Sequence, residues 1–318
     1  MHWTRYALVV AILTAATLDG YSQPYPSKPI RYIVATSPGG ASDISARLLA
    51  PRFSAGLATP IIVENRPPNV VGTGLVAKSA ADGYTILHAM DNFPLTQFLM
   101  RDVPYDATKD FAGISLVFRG PLIAAVRAEL GITDLNQFVR FAKSKAGRLN
   151  YATAGAGTSG HLAGELFKST AGIDMQAVYF KGAGPAAAAV LGGHIDFIMA
   201  AFGTLLPHVK SGKLAALAVS SPGRVPQLAS VPAIAESYPG YEAQLWGGIV
   251  VRAGTPPDII RRLNAEVVKA LADSEVRRAF ENQGNEVVGS TPEAFDKWIV
   301  EESHKWGRLI RERRITQN

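Results

Sequence analysis

The sequence predicts an α/β protein made of two similar units. Short apolar runs such as IRYIVATS and LNYATA alternate with segments of helical periodicity. Near-continuous apolar strands separated by helices indicate parallel sheets that are covered on both faces. The chain has 318 residues, 47% of them apolar and 18% charged, which is enough to bury a core in each of two domains.

The first unit begins with the strand IRYIVATS. The helix DISARLLAPRFSAGL follows it, with Ile44, Leu48, Leu49 and Phe53 predicted to form one buried stripe. PIIVENR and YTILHAM are the next strands of this unit. The run WGGIVVRAG, near residue 246, predicts that the chain later returns to the same unit.

The second unit opens near residue 122. Its predicted order is strand PLIAAV, helix TDLNQFVRFAKSKAG, strand LNYATA, a helix from His161, strand AVYF, helix GPAAAAVLGG and the strands IDFIMAAF and LAALAVSS. The sequence therefore predicts a discontinuous first domain, residues 24–121 plus 246–318, and a second domain, residues 122–245.

The C-terminal segment is predicted to be a helix. Thr291 suits the N-cap and Pro292 the first helical position. Apolar residues then recur at a spacing of three or four, and Trp298 and Trp306 lie in that stripe. We expect both tryptophans to pack in a core rather than to stack on a ligand.

The first residues have the pattern of an export signal. One arginine in MHWTRY precedes the twelve-residue apolar run ALVVAILTAATL, which is typical of a signal peptide and shorter than the about 20 residues that span a bilayer. Gly20 and Ser22 could occupy the small positions before a cleavage site. We therefore expect residues 1–22 to be a signal peptide cleaved near Ser22, and the mature protein to be in the periplasm if the source is a Gram-negative bacterium.

Composition excludes several classes of protein. The chain has no cysteine, so it has no disulfide scaffold, no thiolate metal site and no lipid anchor on a cysteine. Its net charge of +6 comes from scattered Lys and Arg, without the clustered basic surface expected of a nucleic-acid partner. No metal site is predicted, because His161 and Glu165 lack a third ligand and the other histidines are isolated.

The sequence lacks the nucleophile elbow of serine hydrolases. Ser159 follows Gly157, but His161 stands where the second glycine of a G-x-S-x-G elbow would be. We therefore expect no catalytic residue and no enzymatic activity.

One glycine-rich loop has the spacing of a dinucleotide-binding loop. TAGAGTSG holds Gly155, Gly157 and Gly160 as G-x-G-x-x-G, between a strand and a helix. The next strand, however, is followed by Lys181 rather than ending in the acid that binds ribose hydroxyls, and Asp174 precedes that strand. A dinucleotide-dependent α/β oxidoreductase is kept as an alternative.

A second loop of the same kind, TSPGGASD, covers residues 36–43 and also joins a strand to a helix. Helix N-termini present unpaired N–H groups and a partial positive charge, and glycines let a ligand approach that backbone. Two such helix starts, one in each domain, could hold a small anion such as a carboxylate between them. A tight turn without a ligand is the alternative for each loop taken singly.

Several longer motifs resemble one family of transport proteins. They are similar to the substrate-binding proteins of tripartite tricarboxylate transporters, the Bug family: YPSKPIRYIVATSPGGASDISARLLA, PIIVENRP, ADGYTIL, VPYDATKDFAGISLV, YATAGAGTSGHLAGELF, FKGAGPA and LAALAVSS. The resemblance implies a fold like that of type II periplasmic binding proteins, a Venus flytrap of two α/β domains with a ligand cleft at the hinge. We expect a monomer.

The resemblance also implies a function. Proteins of this family capture a small carboxylate with backbone amides, hydroxyls and waters, and deliver it to a membrane permease of one large and one small subunit. They need no cofactor. Presentation of the ligand to a sensor instead of a transporter is an alternative within the same fold.

The family's binding loops imply a set of site residues. The first loop, SPGGASD, implies ligand donors at Ser37, Gly39, Gly40 and Ser42, with Asp43 orienting the loop. The second loop, GAGTSG, implies that the cleft is faced by Gly157, Thr158 and Ser159. The later motifs HIDFIMAAF and FKGAGPA add Asp196, Phe202 and Lys181, the last either as a structural residue or as a charge in the cleft.

The chain departs from the family pattern at HAMDNFPLTQ. Asp91 and Asn92 stand where small hydroxyl residues are common in the family. A carboxylate facing the cleft would repel an anionic ligand group by about 4 kcal/mol at 4 Å and an effective dielectric constant of 20. We therefore hypothesise that the ligand carries an amine, amide or hydroxyl donor for Asp91, as well as or instead of a second carboxylate. A solvent-facing Asp91 that caps a helix is the alternative.

Overall fold

The fold is given by a computed structural model, which describes residues 25–145 and 147–316. The predicted signal sequence, residues 1–22, lies outside these ranges. The strands of the described part are β1 (Ile30–Val34), β2 (Ile61–Asn65), β3 (Thr85–Met90), β4 (Phe111–Arg127), β5 (Asn150–Thr153), β6 (Gln176–Tyr179), β7 (Phe197–Ala201), β8 (Leu214–Val219), β9 (Gln244–Arg252) and β10 (Glu286–Val287).

The helices alternate with these strands along most of the chain. They are α1 (Ala41–Leu57), α2 (Asn69–Ala77), α3 (Thr96–Leu99), α4 (Leu135–Ser144), α5 (Ser159–Ala171), α6 (Ala183–Leu191), α7 (Phe202–Lys210), α8 (Ile234–Ser237), α9 (Pro257–Leu271), α10 (Ser274–Glu281) and α11 (Pro292–Glu312). The alternation confirms the α/β class that the sequence predicts.

The strands form one mixed sheet in the order β2-β1-β3-β9-β4-β7-β5-β6, with β8 and β10 both paired to β4. β1 runs parallel to β2 and β3, and β5 runs parallel to β6 and β7, as predicted. The sheet also has antiparallel pairs, which the sequence does not predict: β9 is antiparallel to both β3 and β4, and β4 is antiparallel to β7 and β8.

The long strand β4 joins two lobes. Its residues from Phe111 to Pro121 pair with β9, and its residues from Leu122 to Arg127 pair with β7 and β8. We call the elements around the first part lobe 1 (β1–β3, β9 and β10 with α1–α3, α9 and α10) and those around the second part lobe 2 (β5–β8 with α4–α8). The change of partners lies where the sequence predicts a domain boundary; the full boundaries stay a prediction.

Each lobe is packed on both faces of its part of the sheet. In β1, Tyr32 and Val34 belong to one buried cluster and Ile33 to another. In β4, Ala124 and Val126 belong to one cluster and Ile123 and Ala125 to another. This confirms the prediction that helices cover both faces of the strands.

The C-terminal helix α11 spans the two lobes. Thr291 Oγ1 caps it by accepting from the N–H of Ala294, at 3.3 Å, as predicted. Its first half adds Phe295 to a core cluster of lobe 1, and its second half adds Trp306 to the main cluster of lobe 2. The predicted core packing of Trp306 is confirmed, since that side chain is buried.

No helix in the ranges 25–145 and 147–316 is both long enough and apolar enough to cross a membrane.

Candidate ligand-binding cleft

Helix starts from both lobes meet at a cleft. A cavity of about 330 Å³ lies between the first turn of α1, in lobe 1, and the first turn of α7, in lobe 2. A second cavity of about 120 Å³ lies beside the start of α5 and shares Ala201 and Leu245 with the first. Within the described residues, none of these three helices has a side-chain cap, so a ligand could accept hydrogen bonds from first-turn N–H groups.

Asp43 holds the first loop in shape. Its Oδ2 accepts from the N–H of Gly39 at 2.9 Å, and its Oδ1 accepts from Arg47 Nε and Asn65 Nδ2, each at 2.9 Å. Burial opposes ionisation of this carboxyl, but the hydrogen bonds from Arg47, Gly39 and Asn65 outweigh it and lower the pKa of Asp43. The arrangement supports the orienting role expected for Asp43.

The remaining residues of this loop differ in placement. Ser42 is buried, and its Oγ shares a hydrogen bond of 2.6 Å with Thr36 Oγ1. Ser37, Gly39 and Gly40 are exposed, and in the described part of the chain they line neither cavity. Gly39 has φ +81°, a conformation that favours glycine. A donor role for these residues stays a prediction.

The second loop is shaped by its own hydrogen bonds. Thr158 Oγ1 contacts Thr153 Oγ1 at 3.0 Å and donates to the carbonyl oxygen of Gly155 at 2.8 Å. Gly155 and Gly157 have positive φ, while a Cβ on Gly160 would overlap the carbonyl oxygen of Met199 in β7. The three glycines therefore make a tight turn and a close contact between helix and strand.

The dinucleotide alternative gains no support from this loop. The cavity beside it, about 120 Å³, is smaller than the about 300–1,000 Å³ typical of pockets for drug-sized ligands. Asp174 forms an ion pair with Lys168 at 3.8 Å. Because Asp174 precedes β6, it does not lie at the end of that strand, where a ribose-binding acid is found.

His161 fixes the second loop from behind. The N–H of Gly157 donates to His161 Nδ1 at 3.0 Å, and the ring packs edge-on against Tyr179. Burial lowers the pKa of His161, so the ring is neutral and can accept this hydrogen bond at neutral pH. In the part of the chain that the structure describes, no three His, Asp or Glu side chains are grouped to hold a metal ion.

Asp91 and Ser159 meet across the cleft. Ser159 Oγ, at the start of α5, donates a hydrogen bond to Asp91 Oδ2, which follows β3. Both residues line a space of about 10 Å³ that Trp306 also borders, which is about the size of one water molecule and too small for an organic acid. Burial, together with the nearby charge of Glu302, raises the pKa of Asp91 to about 6 although the bond from Ser159 lowers it.

The structure brings some of the predicted residues to the cleft and not others. Phe202 is buried and lines the larger cavity, whereas Asp196 lies at the opposite end of β7, where its Oδ2 accepts from the N–H of Asn150 at 2.9 Å. Lys181 is exposed in the loop before α6. Asn92 is exposed at the turn before α3, where its carbonyl oxygen accepts from the N–H of Leu95 at 3.0 Å, and it borders the same small space as Asp91 and Ser159. A ligand contact of Asp196, Lys181 or Asn92 stays a prediction.

Comparison with known proteins decides the family. Residues 45–315 match the model of the tripartite tricarboxylate transporter family receptor, TctC. The chain belongs to this TctC family.

Several relatives of this TctC-family chain match it over most of its length. It is 34% identical to protein BugT of Bordetella pertussis over 98% of each chain. Among solved structures, it is similar to Rhodopseudomonas palustris Rpa4515 with adipate, at 28% identity and a TM-score of 0.78, covering 92% of this chain and 99% of that one. It is also similar to MatC of the same organism with bound malate, at 28% identity and a TM-score of 0.75, covering 90% of this chain and 100% of that one.

Two residues that line the cleft are not among the site residues that the sequence predicts. The helical spacing predicts that Ile44 is buried with Leu49, but Ile44 is 53% exposed and lines the larger cavity. Ser45 lines the same cavity and is 5% exposed, and its Oγ has no hydrogen-bond partner among the described residues. The position of Ile44 directly after the loop could have indicated a place in the cleft. Its helical spacing instead predicts a place in the core.

Proposed function

We propose that this protein is a periplasmic solute-binding protein that captures a small carboxylate and delivers it to a tripartite tricarboxylate-type permease of one large and one small subunit. The two domains, residues 24–121 plus 246–318 and residues 122–245, close on the ligand. Ligand binding requires no covalent step and no cofactor.

One observation carries this proposal. The uncapped starts of α1 and α7 lie on opposite sides of a cavity of about 330 Å³, and they belong to different lobes. Helix N-termini attract anions through free N–H groups and the helix dipole. The bound adipate and malate of the two similar structures support a carboxylate as that anion.

Closure of the lobes is the proposed mechanism. Three contacts between the lobes support it: the hydrogen bond from Ser159 to Asp91, the packing of Phe202 against Gly284, and a hydrogen bond of 3.1 Å from Gln227 Nε2 to the carbonyl oxygen of Glu281. A ligand that touches both lobes stabilises the closed form, and that population shift is the signal that a permease could read.

Thermal unfolding of the mature protein tests ligand capture. Protein that has been unfolded, washed and refolded is screened against small carboxylates, amino acids, amides and NAD. A ligand at 100 times its dissociation constant adds about 2.7 kcal/mol to the free energy of unfolding, which raises the melting temperature by several degrees. A shift with carboxylates supports the proposal, and a shift with NAD alone would restore the oxidoreductase alternative.

Export and delivery need separate experiments. Mass spectrometry of the periplasmic extract of a cell that expresses the full chain should find an N-terminus close to Ser22. Uptake of the identified acid by cells that carry the permease should depend on this protein. Uptake that is unchanged in its absence, with ligand binding intact, would favour the sensor role.

A further inference from the structure

The larger cavity between the lobes is lined mainly by apolar side chains. Ile44 and Leu48 of α1, Met90 and Phe118 of lobe 1, Leu245 at the junction and Phe202 of lobe 2 all border it. Both lobes contribute, so the apolar lining encloses a ligand from two sides. Such a surface binds an apolar molecular body through the area it removes from water.

The lining of both cavities has no charged side chain. Among the described residues, those bordering the cavities of about 330 and 120 Å³ include no Asp, Glu, Lys, Arg or His. One carboxylate can be compensated by the helix starts, as argued above. A second carboxylate lying against the apolar lining would lose its hydration without a cation, which is strongly unfavourable.

Among the described residues that border this cavity, Ser45 carries a buried hydroxyl without a partner; the other polar side chains of the lining are those of Thr204, Gln283 and Asn285. Ser45 is 5% exposed and borders the cavity, and its Oγ has no partner within the described ranges. Buried hydroxyl groups are nearly always hydrogen-bonded, so an unpaired one calls for a partner. A carboxylate at the first turns of α1 would accept its hydrogen bond.

We propose that the ligand is a monocarboxylate with an apolar body, such as an aromatic acid or a medium-chain aliphatic acid. Its carboxylate accepts from Ser45 Oγ and the first-turn N–H groups of α1, and its body packs against Ile44 and Phe202. This inference rests on the proposed function and names the class of acid that the cleft selects.

Calorimetry with matched pairs of acids tests the class. Refolded, ligand-free protein is titrated with hexanoate against adipate, which share a six-carbon chain, and with benzoate against terephthalate. We expect the monocarboxylate of each pair to bind at least tenfold more tightly. Tighter binding of adipate, terephthalate or malate would overturn this inference and leave the proposed function standing, whereas binding of no acid at all would overturn both.

Substitution of Ile44 tests the apolar wall. Ile44→Asn should weaken binding of the preferred monocarboxylate about tenfold, because the side chain packs on the body of the ligand. Ile62→Asn is the matched control, since Ile62 is 47% exposed in β2 and lines neither cavity. Equal effects of the two substitutions on affinity would contradict a ligand contact at Ile44.

Substitution of Ser45 tests the carboxylate contact. Ser45→Ala should weaken binding of the preferred acid about tenfold but change the binding of its uncharged amide much less, since hydrogen bonds to charged groups are the stronger ones. The melting temperature without ligand should not fall, because the hydroxyl has no partner to lose in the described part of the chain. Equal losses for the acid and the amide would contradict a contact between Ser45 and the carboxylate.

Discussion

Ser159 Oγ of lobe 2 donates a hydrogen bond to Asp91 Oδ2 of lobe 1, so a side-chain pair joins the two lobes at the edge of the cleft. The site is crowded with acceptors. The N–H of Asp91 donates to the carbonyl oxygen of Trp246 at 3.1 Å, and Glu302 lies close by, accepting from Trp306 Nε1 at 2.8 Å. Burial and the charge of Glu302 both disfavour ionised Asp91.

Replacing Asp91 by a neutral isostere should stabilise the protein at neutral pH. The pKa of Asp91 is raised to about 6 in the folded protein. The contribution of Asp91 to the free energy of unfolding is therefore fully present below about pH 4 and is lost as the pH rises through 6. Asp91→Asn keeps an acceptor for Ser159 without the charge. We expect its free energy of unfolding at pH 7.5 to exceed that of the wild type by about 1–2 kcal/mol, a figure reduced for partial exposure of the carboxyl.

Denaturant unfolding at two pH values measures this difference. At pH 4 both proteins carry a neutral group and the advantage of Asp91→Asn should disappear. Ser159→Ala is the companion variant: without its donor the pKa of Asp91 should rise further, and stability at pH 7.5 should fall. Equal stabilities of wild type and Asp91→Asn at pH 7.5 would show that the carboxylate is well solvated.

Acid should destabilise the protein through His88. Burial lowers the pKa of His88 to about 3, and Tyr32 Oη lies 2.6 Å from its Nδ1. His88 takes up a proton near pH 6.5 in the unfolded chain but not in the folded one. Its contribution to the free energy of unfolding is therefore fully present above pH 6.5 and is lost as the pH falls. Between pH 6.5 and 5 the loss from this one group is about 2 kcal/mol.

A paired substitution isolates that effect. Tyr32→Phe with His88→Leu removes both partners of the hydrogen bond together, which leaves no new unpaired group. The double variant should lose less stability between pH 7.5 and pH 5 than the wild type does, as measured by denaturant midpoints. An unchanged pH dependence would assign the acid sensitivity to other groups, such as His161.

Local patterns were enough to predict much of the fold. Apolar runs predict the strands, helical spacing predicts α1 and α11, and Thr291 with Pro292 predicts the start of the last helix. The unbroken β4 was missed, because Gly120 and Pro121 look like a strand break. Pro121 is tolerated there since β4 changes its pairing partners directly after this residue.

The site was harder to predict because its contacts are distant in sequence. Asp91 and Ser159 are 68 positions apart, and no periodicity links them. Ile44 shows the same limit: helical spacing reports that a face is apolar, but not whether that face packs on a core or on a ligand. Only the position of lobe 2 distinguishes the two.

Replacing Asp43 should destabilise the protein more than replacing an exposed aspartate in the first turn of another helix. Asp43→Ala would remove the acceptor of the Gly39 N–H and of Arg47 Nε, and would leave Asn65 Nδ2 with the carbonyl oxygen of Thr36 alone, at 3.1 Å. We expect a loss of about 2–3 kcal/mol in the free energy of unfolding and weaker carboxylate binding, since the loop loses its orientation. Asp258→Ala is the control, because Asp258 pairs with Arg261 at the surface of α9, where such pairs contribute about 0–1 kcal/mol. Equal losses would contradict an orienting role.

Alanine substitutions at two glycines of lobe 2 should change the free energy of unfolding in opposite directions. Gly160 and Gly184 are each the second residue of a helix, α5 and α6. The added Cβ of Gly160→Ala would overlap the carbonyl oxygen of Met199, which is held by the sheet, whereas that of Gly184→Ala meets no atom of the described residues within 4 Å. We expect Gly160→Ala to lose about 1–3 kcal/mol in the free energy of unfolding and Gly184→Ala to gain up to about 1 kcal/mol.

Thermal and denaturant unfolding of the two alanine variants distinguish a packing role from a ligand role. If Gly160 is needed for the contact between α5 and β7, its substitution lowers stability in the absence of any ligand. It should also displace Ser159, the preceding residue, and so weaken the bond to Asp91. A Gly160→Ala protein with wild-type stability but impaired ligand binding would instead place this glycine against the ligand, as in a dinucleotide-binding loop.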